Sequence, residues 1–203
     1  METSVESKAA LRAIYRNPNP RSVAKEITHL DPHCRRFVEL SPFVVLGSSG
    51  ANGEDVSPRG GPPGFVKILD GKTLVIPDFP GNNRLDSLEN ILETGRVALL
   101  FLVPGVDETL RVNGRATIDA DPELLAMGAM DGRLPLTIIR VAVEQAYLHC
   151  GKAFMRSGLW DPSVQVERSS LPSIGEMIRD QMKSDKPAET QAEMLERYRE
   201  TLY

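Results

Sequence analysis

Apolar and polar residues change their spacing along this chain near position 42. Before it the texture is helical, with candidate helices at residues 8–16 and 21–28 on either side of an Asn17-Pro18-Asn19-Pro20 break. A third piece opens at Asp31-Pro32, where the carboxylate can cap the first N–H groups and the ring presets φ. After it, Phe43-Val44-Val45-Leu46 is a β-branched and aromatic run bounded by Gly47-Ser48-Ser49-Gly50, the pattern of a buried strand and its turn. Residues 51–64 are crowded with Gly and Pro and read as a loop carrying Ser57-Pro58-Arg59 in its middle. Strands are expected at 65–69 and 73–76, joined by the hairpin dipeptide Asp70-Gly71. Leu85, Leu88, Ile91 and Leu92 then recur at helical spacing.

Further strands follow at 97–103 and 109–118, the second alternating Leu110, Val112, Gly114, Ala116 and Ile118 with Arg111, Asn113, Arg115 and Thr117, so that one face is buried. Asp121-Pro122 starts a helix to about residue 130, and 136–150 reads as a long strand with Val141 and Val143 in alternation. Residues 151–158 look helical, with Lys152 and Arg156 four apart on one face and Trp160 following on the same helix. From Ser173 the pattern is helix, a charged break at 183–187, and helix again. Six or so meandering strands with short helices and no βαβ repeat predict an α+β, mainly β, antiparallel barrel rather than a doubly wound sheet. We expect one domain over residues 1–203, with a helical segment at 1–40, the barrel at 41–162 and a helical arm at 163–203.

Composition narrows the function classes. Hydrophobic residues at 41% and charged residues at 26% describe an ordinary globular chain. A net charge of −4 disfavours a nucleic-acid binder, because phosphate-backbone affinity is carried by clustered Lys and Arg. The apolar run at 97–103 is halted by Pro104, far short of the roughly 20 residues needed to span a bilayer, so no membrane span is expected. The first residues lack a basic and then apolar secretory pattern, which makes the cytoplasm the expected location. His33-Cys34 and His149-Cys150 could in principle supply four zinc ligands, but neighbours on one element point in different directions, so two buried thiols and no metal are expected.

Chemistry concentrates at Pro80-Gly81-Asn82-Asn83-Arg84, a turn that runs into the helix at Leu85. Asn82 or Asn83 could simply cap that helix. Arg84 fits less well, because a cation in a first turn opposes the positive end of the helix dipole unless an anion such as phosphate lies there. Arg59 could reach a second phosphate oxygen or be a solvated loop residue; Trp160 could cover a ligand ring or fill the core. Phosphate-loop, dinucleotide, zinc-protease and serine-hydrolase motifs are absent from the sequence, and three histidines leave little acid–base machinery.

Taken together and in order, Ser41-Pro42-Phe43-Val44-Val45-Leu46, Ser57-Pro58-Arg59-Gly60, Pro63-Gly64-Phe65-Val66, Ile76-Pro77-Asp78 with Gly81-Asn82-Asn83-Arg84-Leu85-Asp86, Leu110-Arg111-Val112-Asn113-Gly114-Arg115-Ala116 and His149-Cys150-Gly151-Lys152-Ala153 with Arg156-Ser157-Gly158-Leu159-Trp160-Asp161-Pro162 resemble one group. It is the bacterial FMN-dependent branch of the pyridoxamine 5′-phosphate oxidase-related flavoproteins, and the likeness covers nearly the whole chain. The resemblance implies a Greek-key-like split β-barrel that forms a homodimer, with FMN in a groove between subunits. It places Ser57 and Arg59 after the first barrel strand, Pro77 and Asp78 along the flavin ring or ribityl chain, and Asn82, Asn83 and Arg84 at the phosphate. Lys152, Arg156 and Trp160 then reach FMN from the C-terminal side of one or the other subunit.

There are departures from the pattern. Asn82-Asn83-Arg84 stands where the true oxidases carry Ser-Arg-Lys, the Arg-x-His substrate pattern is not found, and Gly61 and Phe79 replace an expected acid and an expected Arg. Vitamin B6 oxidation is therefore not expected. The resemblance implies an FMN-dependent oxidoreductase exchanging hydride at flavin N5 with an unknown small molecule, with no catalytic side chain assigned. The alternatives are a flavin-binding or shuttling protein without dedicated catalysis and a split-barrel reductase using the deazaflavin F420.

Overall fold

The computed structural model describes residues 4–202. Seven strands, β1 (Phe43–Gly50), β2 (Gly53–Gly60), β3 (Lys67–Asp70), β4 (Thr73–Asp78), β5 (Arg96–Leu102), β6 (Thr109–Asp119) and β7 (Thr137–His149), form one sheet in the order β2-β1-β5-β6-β7-β4-β3. Every pairing is antiparallel. The β5–β6–β7 meander forms its middle, flanked by the β1–β2 and β3–β4 hairpins, as expected for an α+β split barrel whose sheet curls without closing. Among the described residues eight α-helices decorate it: α1 (Lys8–Ile14), α2 (Pro20–Ala24), α3 (Pro32–Leu40), α4 (Asp86–Thr94), α5 (Pro122–Met127), α6 (Lys152–Ser157), α7 (Ile174–Gln181) and α8 (Gln191–Thr201).

The alternation read from the sequence is what fills the core. Val44, Leu46, Phe101, Leu110, Val112 and Val141 are fully buried inside the curl, and α3 closes one side with Val38 and Cys34. Truncating such a side chain typically costs about 2–5 kcal/mol, since lost transfer free energy adds to the cavity left behind. The long β6–β7 ladder shifts register between Asn113 and Gly114. There a Cβ on Gly114 would lie 2.1 Å from the Ala142 carbonyl oxygen, so only glycine permits the approach.

Several expectations change. Residues 53–60, the greater part of the expected loop, are a strand: β2 pairs with β1 through their whole lengths, from Phe43↔Gly60 to Gly50↔Gly53, and only 51–52 and 61–64 remain turn or irregular. Its Pro58 is tolerated because β2 is the edge strand, where a missing N–H breaks no second ladder. The helix expected to residue 28 stops at Ala24, because Ile27 pairs with Ala146, donating to its carbonyl at 3.0 Å and accepting from its N–H at 2.7 Å. Of the two thiols only Cys34 is buried; Cys150, directly after the last residue of β7, is exposed on the rim. Burial, with Asp31 beside it, pushes the Cys34 thiol up to about 12. Among the described residues no helix is long and apolar enough to cross a membrane.

Candidate functional site

The inward face of β2 carries Asp55, Ser57 and Arg59 at strand spacing. β2 is one edge of the sheet and β4 lies next to the other edge, yet the Arg59 guanidinium is 3.4 Å from the Asp78 carboxylate, with side chains only 24% and 17% exposed. The ion pair thus straddles the open seam of the curled sheet. A groove of about 410 Å³ lies over it, lined from the β2 side by Ser57 and Arg59 and from the other by the stretch from Asp78 to Leu88.

The donors of Arg59 are only partly used. One terminal nitrogen faces Asp78 and the other donates to the Pro58 carbonyl at 3.3 Å, but buried Nε has no partner. The other buried polar side-chain atom without a partner among the described residues is the Thr137 hydroxyl, directly across the β4–β7 ladder from Asp78. A buried donor left without a partner costs about 1–3 kcal/mol, so both atoms carry unmet hydrogen-bonding capacity beside the Arg59–Asp78 pair. Burial raises the Asp78 carboxyl above the ordinary carboxylate range, with Arg59 pulling it back down.

The signature turn is built differently from the sequence reading. Neither Asn82 nor Asn83 caps α4. Asn82 instead accepts the Arg84 backbone N–H at 3.0 Å, and Asn83 adopts a left-handed φ of 60°, which Asn tolerates. The cap position is Leu85, also left-handed at φ 58° and offering no side-chain acceptor, so no side chain caps the start of α4 beside the groove. Arg84 does not depend on an outside anion: its guanidinium pairs with Asp86 at 2.5 Å and is 76% exposed. That neighbour offsets the dipole conflict inferred from the sequence.

Ser57, Arg59, Asp78, Asn82, Asn83 and Arg84 thus meet at one groove. Pro77 does not line it, being buried in β4 opposite Ile138 and against Gly128. Lys152, Arg156 and Trp160 lie beyond the opposite end of β7, whose 13 residues separate them from Thr137 at the seam by about 40 Å of strand. Trp160 falls outside α6, which ends at the left-handed Gly158; its indole N–H donates to the Val106 carbonyl at 2.9 Å and its ring stacks on Phe154 at 5.6 Å. Neither core filling nor a groove contact within this chain describes it.

Sequence reasoning missed Asp55, Ser87 and Thr137. The signal for Asp55 was present, since Asp55, Ser57 and Arg59 alternate with Glu54, Val56 and Pro58, but the Gly and Pro around them masked a strand. Of the two expected departures, Gly61 has no room for a side chain, a Cβ there lying 2.8 Å from that of Phe65, while Phe79 packs on the core at the groove's rim. A larger cavity of about 850 Å³ lies in the C-terminal arm and holds none of these residues. Its Arg168 is occupied by the Leu171 and Pro172 carbonyls and the Gln191 amide oxygen.

Comparison with known proteins bears on this seam. The sequence model described as pyridoxamine 5′-phosphate oxidase matches residues 30–150, which contain α3, all seven strands and the groove. The chain belongs to that family. Among solved structures, a variant of HupZ from Group A Streptococcus superposes with a TM-score of 0.50 at 14% identity, covering 59% of this chain and 99% of that one. A protein from Lactobacillus delbrueckii named for pyridoxamine 5′-phosphate oxidase follows at 0.46 and 20%, covering 60% and 95%. An FMN-binding protein from Syntrophomonas wolfei stands at 0.42 and 13%, covering 57% and 88%. At these identities the likeness is one of fold. No curated protein matches the chain significantly.

Proposed function

We propose that this member of the pyridoxamine 5′-phosphate oxidase family is a flavoprotein that holds FMN in the seam groove and acts as an FMN-dependent oxidoreductase on a small molecule. The observation that carries the reading is the partnerless, buried Nε of Arg59 at a groove where no side chain caps the start of α4. A phosphate satisfies both at once, since it accepts from a guanidinium and from backbone N–H groups. Arg59, Arg84, Asn82, Asn83 and the first turn of α4 would hold the phosphate, and Asp78 and Ser57 would flank the rest of the molecule. Bound flavin supplies hydride exchange at N5.

The protein's own contribution is binding, orientation and exclusion of water. Asp78 keeps Arg59 directed across the seam, and Phe79 presents an apolar rim. Lys152, Arg156 and Trp160, remote from the groove along β7, join it in this reading only from a second copy, which makes the working unit a homodimer. Anaerobic addition of NADH or NADPH to FMN-loaded protein tests the activity. Bleaching of the two-band flavin spectrum is expected; a flavin that no donor reduces would leave a binding protein, and preference for the single-band deazaflavin would replace FMN with F420.

A further inference from the structure

A short relay behind the groove fixes the polarity of one of its side chains. The Ser87 hydroxyl donates to the Asp55 carboxylate at 2.6 Å, and the Ser57 and Ser87 oxygens are 2.8 Å apart. An ionised carboxylate only accepts, and a serine has one proton. With the Ser87 proton committed to Asp55, the bond between the serines requires Ser57 to donate. Ser87 is 4% exposed, so bulk water does not compete for the relay. Ser57, whose backbone belongs to the β1–β2 ladder opposite Leu46, then shows the groove lone pairs alone.

We infer that Ser57 is a hydrogen-bond acceptor in the groove, held in that state by Asp55 as a positioning residue acting through Ser87, and that it reads a ribityl hydroxyl of the flavin, not the phosphate. This rests on the FMN reading above and deepens it. A phosphate dianion offers no proton, so its oxygens would meet Ser57 lone pair against lone pair. A hydroxyl donates. Ser57 and Arg59 are two residues apart on one face of β2, about 7 Å along the strand, a spacing at which one FMN can set its phosphate on Arg59 and a ribityl hydroxyl on Ser57.

Titration of the full chain with FMN and with riboflavin, which lacks the phosphate, separates the two roles by fluorescence quenching. Ser57→Ala is expected to weaken both ligands by the same factor, about 3- to 10-fold for one lost hydrogen bond. Ser87→Ala and Asp55→Ala are expected to weaken both ligands as well, yet to add nothing on a Ser57→Ala background, because they act through Ser57. Asp55→Asn, which keeps an acceptor oxygen for Ser87, is expected to restore what Asp55→Ala loses. Circular dichroism on each variant separates these effects from unfolding. A Ser57→Ala variant that loses FMN affinity alone, or one that loses none, overturns the inference and leaves FMN binding standing, as does full additivity in the double variants. If the parent protein binds neither flavin, the first titration shows that the FMN reading has failed and this inference with it.

Discussion

The two ends of the β6–β7 hairpin are built on different principles. At the seam end, side chains from separate elements interlock: Arg59 of β2 reaches Asp78 of β4, and Ser57 and Asp55 reach Ser87 of α4. At the far end, Lys152 and Arg156 stand exposed on a six-residue helix, with Trp160 anchored to a loop carbonyl. The first arrangement is complete within one chain except for Arg59 Nε and the Thr137 hydroxyl. Among the described residues, the Lys152 and Arg156 side chains of the second make no hydrogen bond or ion pair. The difference teaches that residues grouped by one set of sequence motifs need not meet within one chain.

The largest expected effect separates the two arginines of the seam. Arg59→Ala should lower FMN affinity about 100-fold, because a partly buried guanidinium makes charge-assisted bonds of about 1.5–3 kcal/mol each. Arg84→Ala should lower it about 10-fold or less, since that side chain is exposed and shared with Asp86. The reverse order in equilibrium titrations would move the phosphate to the signature turn. Next comes complementation between the two ends. If α6 acts in trans, mixed dimers of Arg59→Ala and Arg156→Ala chains contain one intact site and recover FMN binding; a site made within one chain gives no recovery.

A smaller effect is expected in the pH dependence of the flavin-free protein. A carboxyl raised above its ordinary 3.8 holds its proton more tightly in the fold than in the unfolded chain. Its stabilising contribution is therefore complete below that value and is lost as pH rises through the raised one. Asp78→Asn lacks this loss, so its Tm minus that of the parent should increase as pH rises above the ordinary carboxylate value. A constant difference would mean that Asp78 titrates normally. Smallest is a contrast of thiols: a disulfide reagent should modify exposed Cys150 in the native protein and leave Cys34, buried and raised to about 12, until denaturation. Prompt reaction of both would show that α3 opens readily.

Much of the barrel was legible because its strands repeat apolar residues with period two, as Leu110, Val112 and Ala116 do. Helix starts were legible where Asp31 and Asp121 precede proline, and both are the observed caps. β2 was hidden because Pro58 and its glycines imitate a loop, and only its place at the edge makes them acceptable. The seam itself was beyond reach. Arg59 and Asp78 are 19 positions apart, and their pairing depends on the curl of the whole sheet rather than on any local pattern. Arg84 lines the groove, but the counter-ion that the sequence reading sought outside is supplied by Asp86, two residues on.

The central claim is that the seam groove binds FMN, and the most direct test is equilibrium titration of the purified parent chain with FMN while the visible spectrum is recorded. One FMN bound per chain, with riboflavin weaker by the share that Arg59 contributes, is the result expected. A parent protein that binds no FMN, or that binds FMN and riboflavin equally and keeps full affinity in Arg59→Ala, would contradict it.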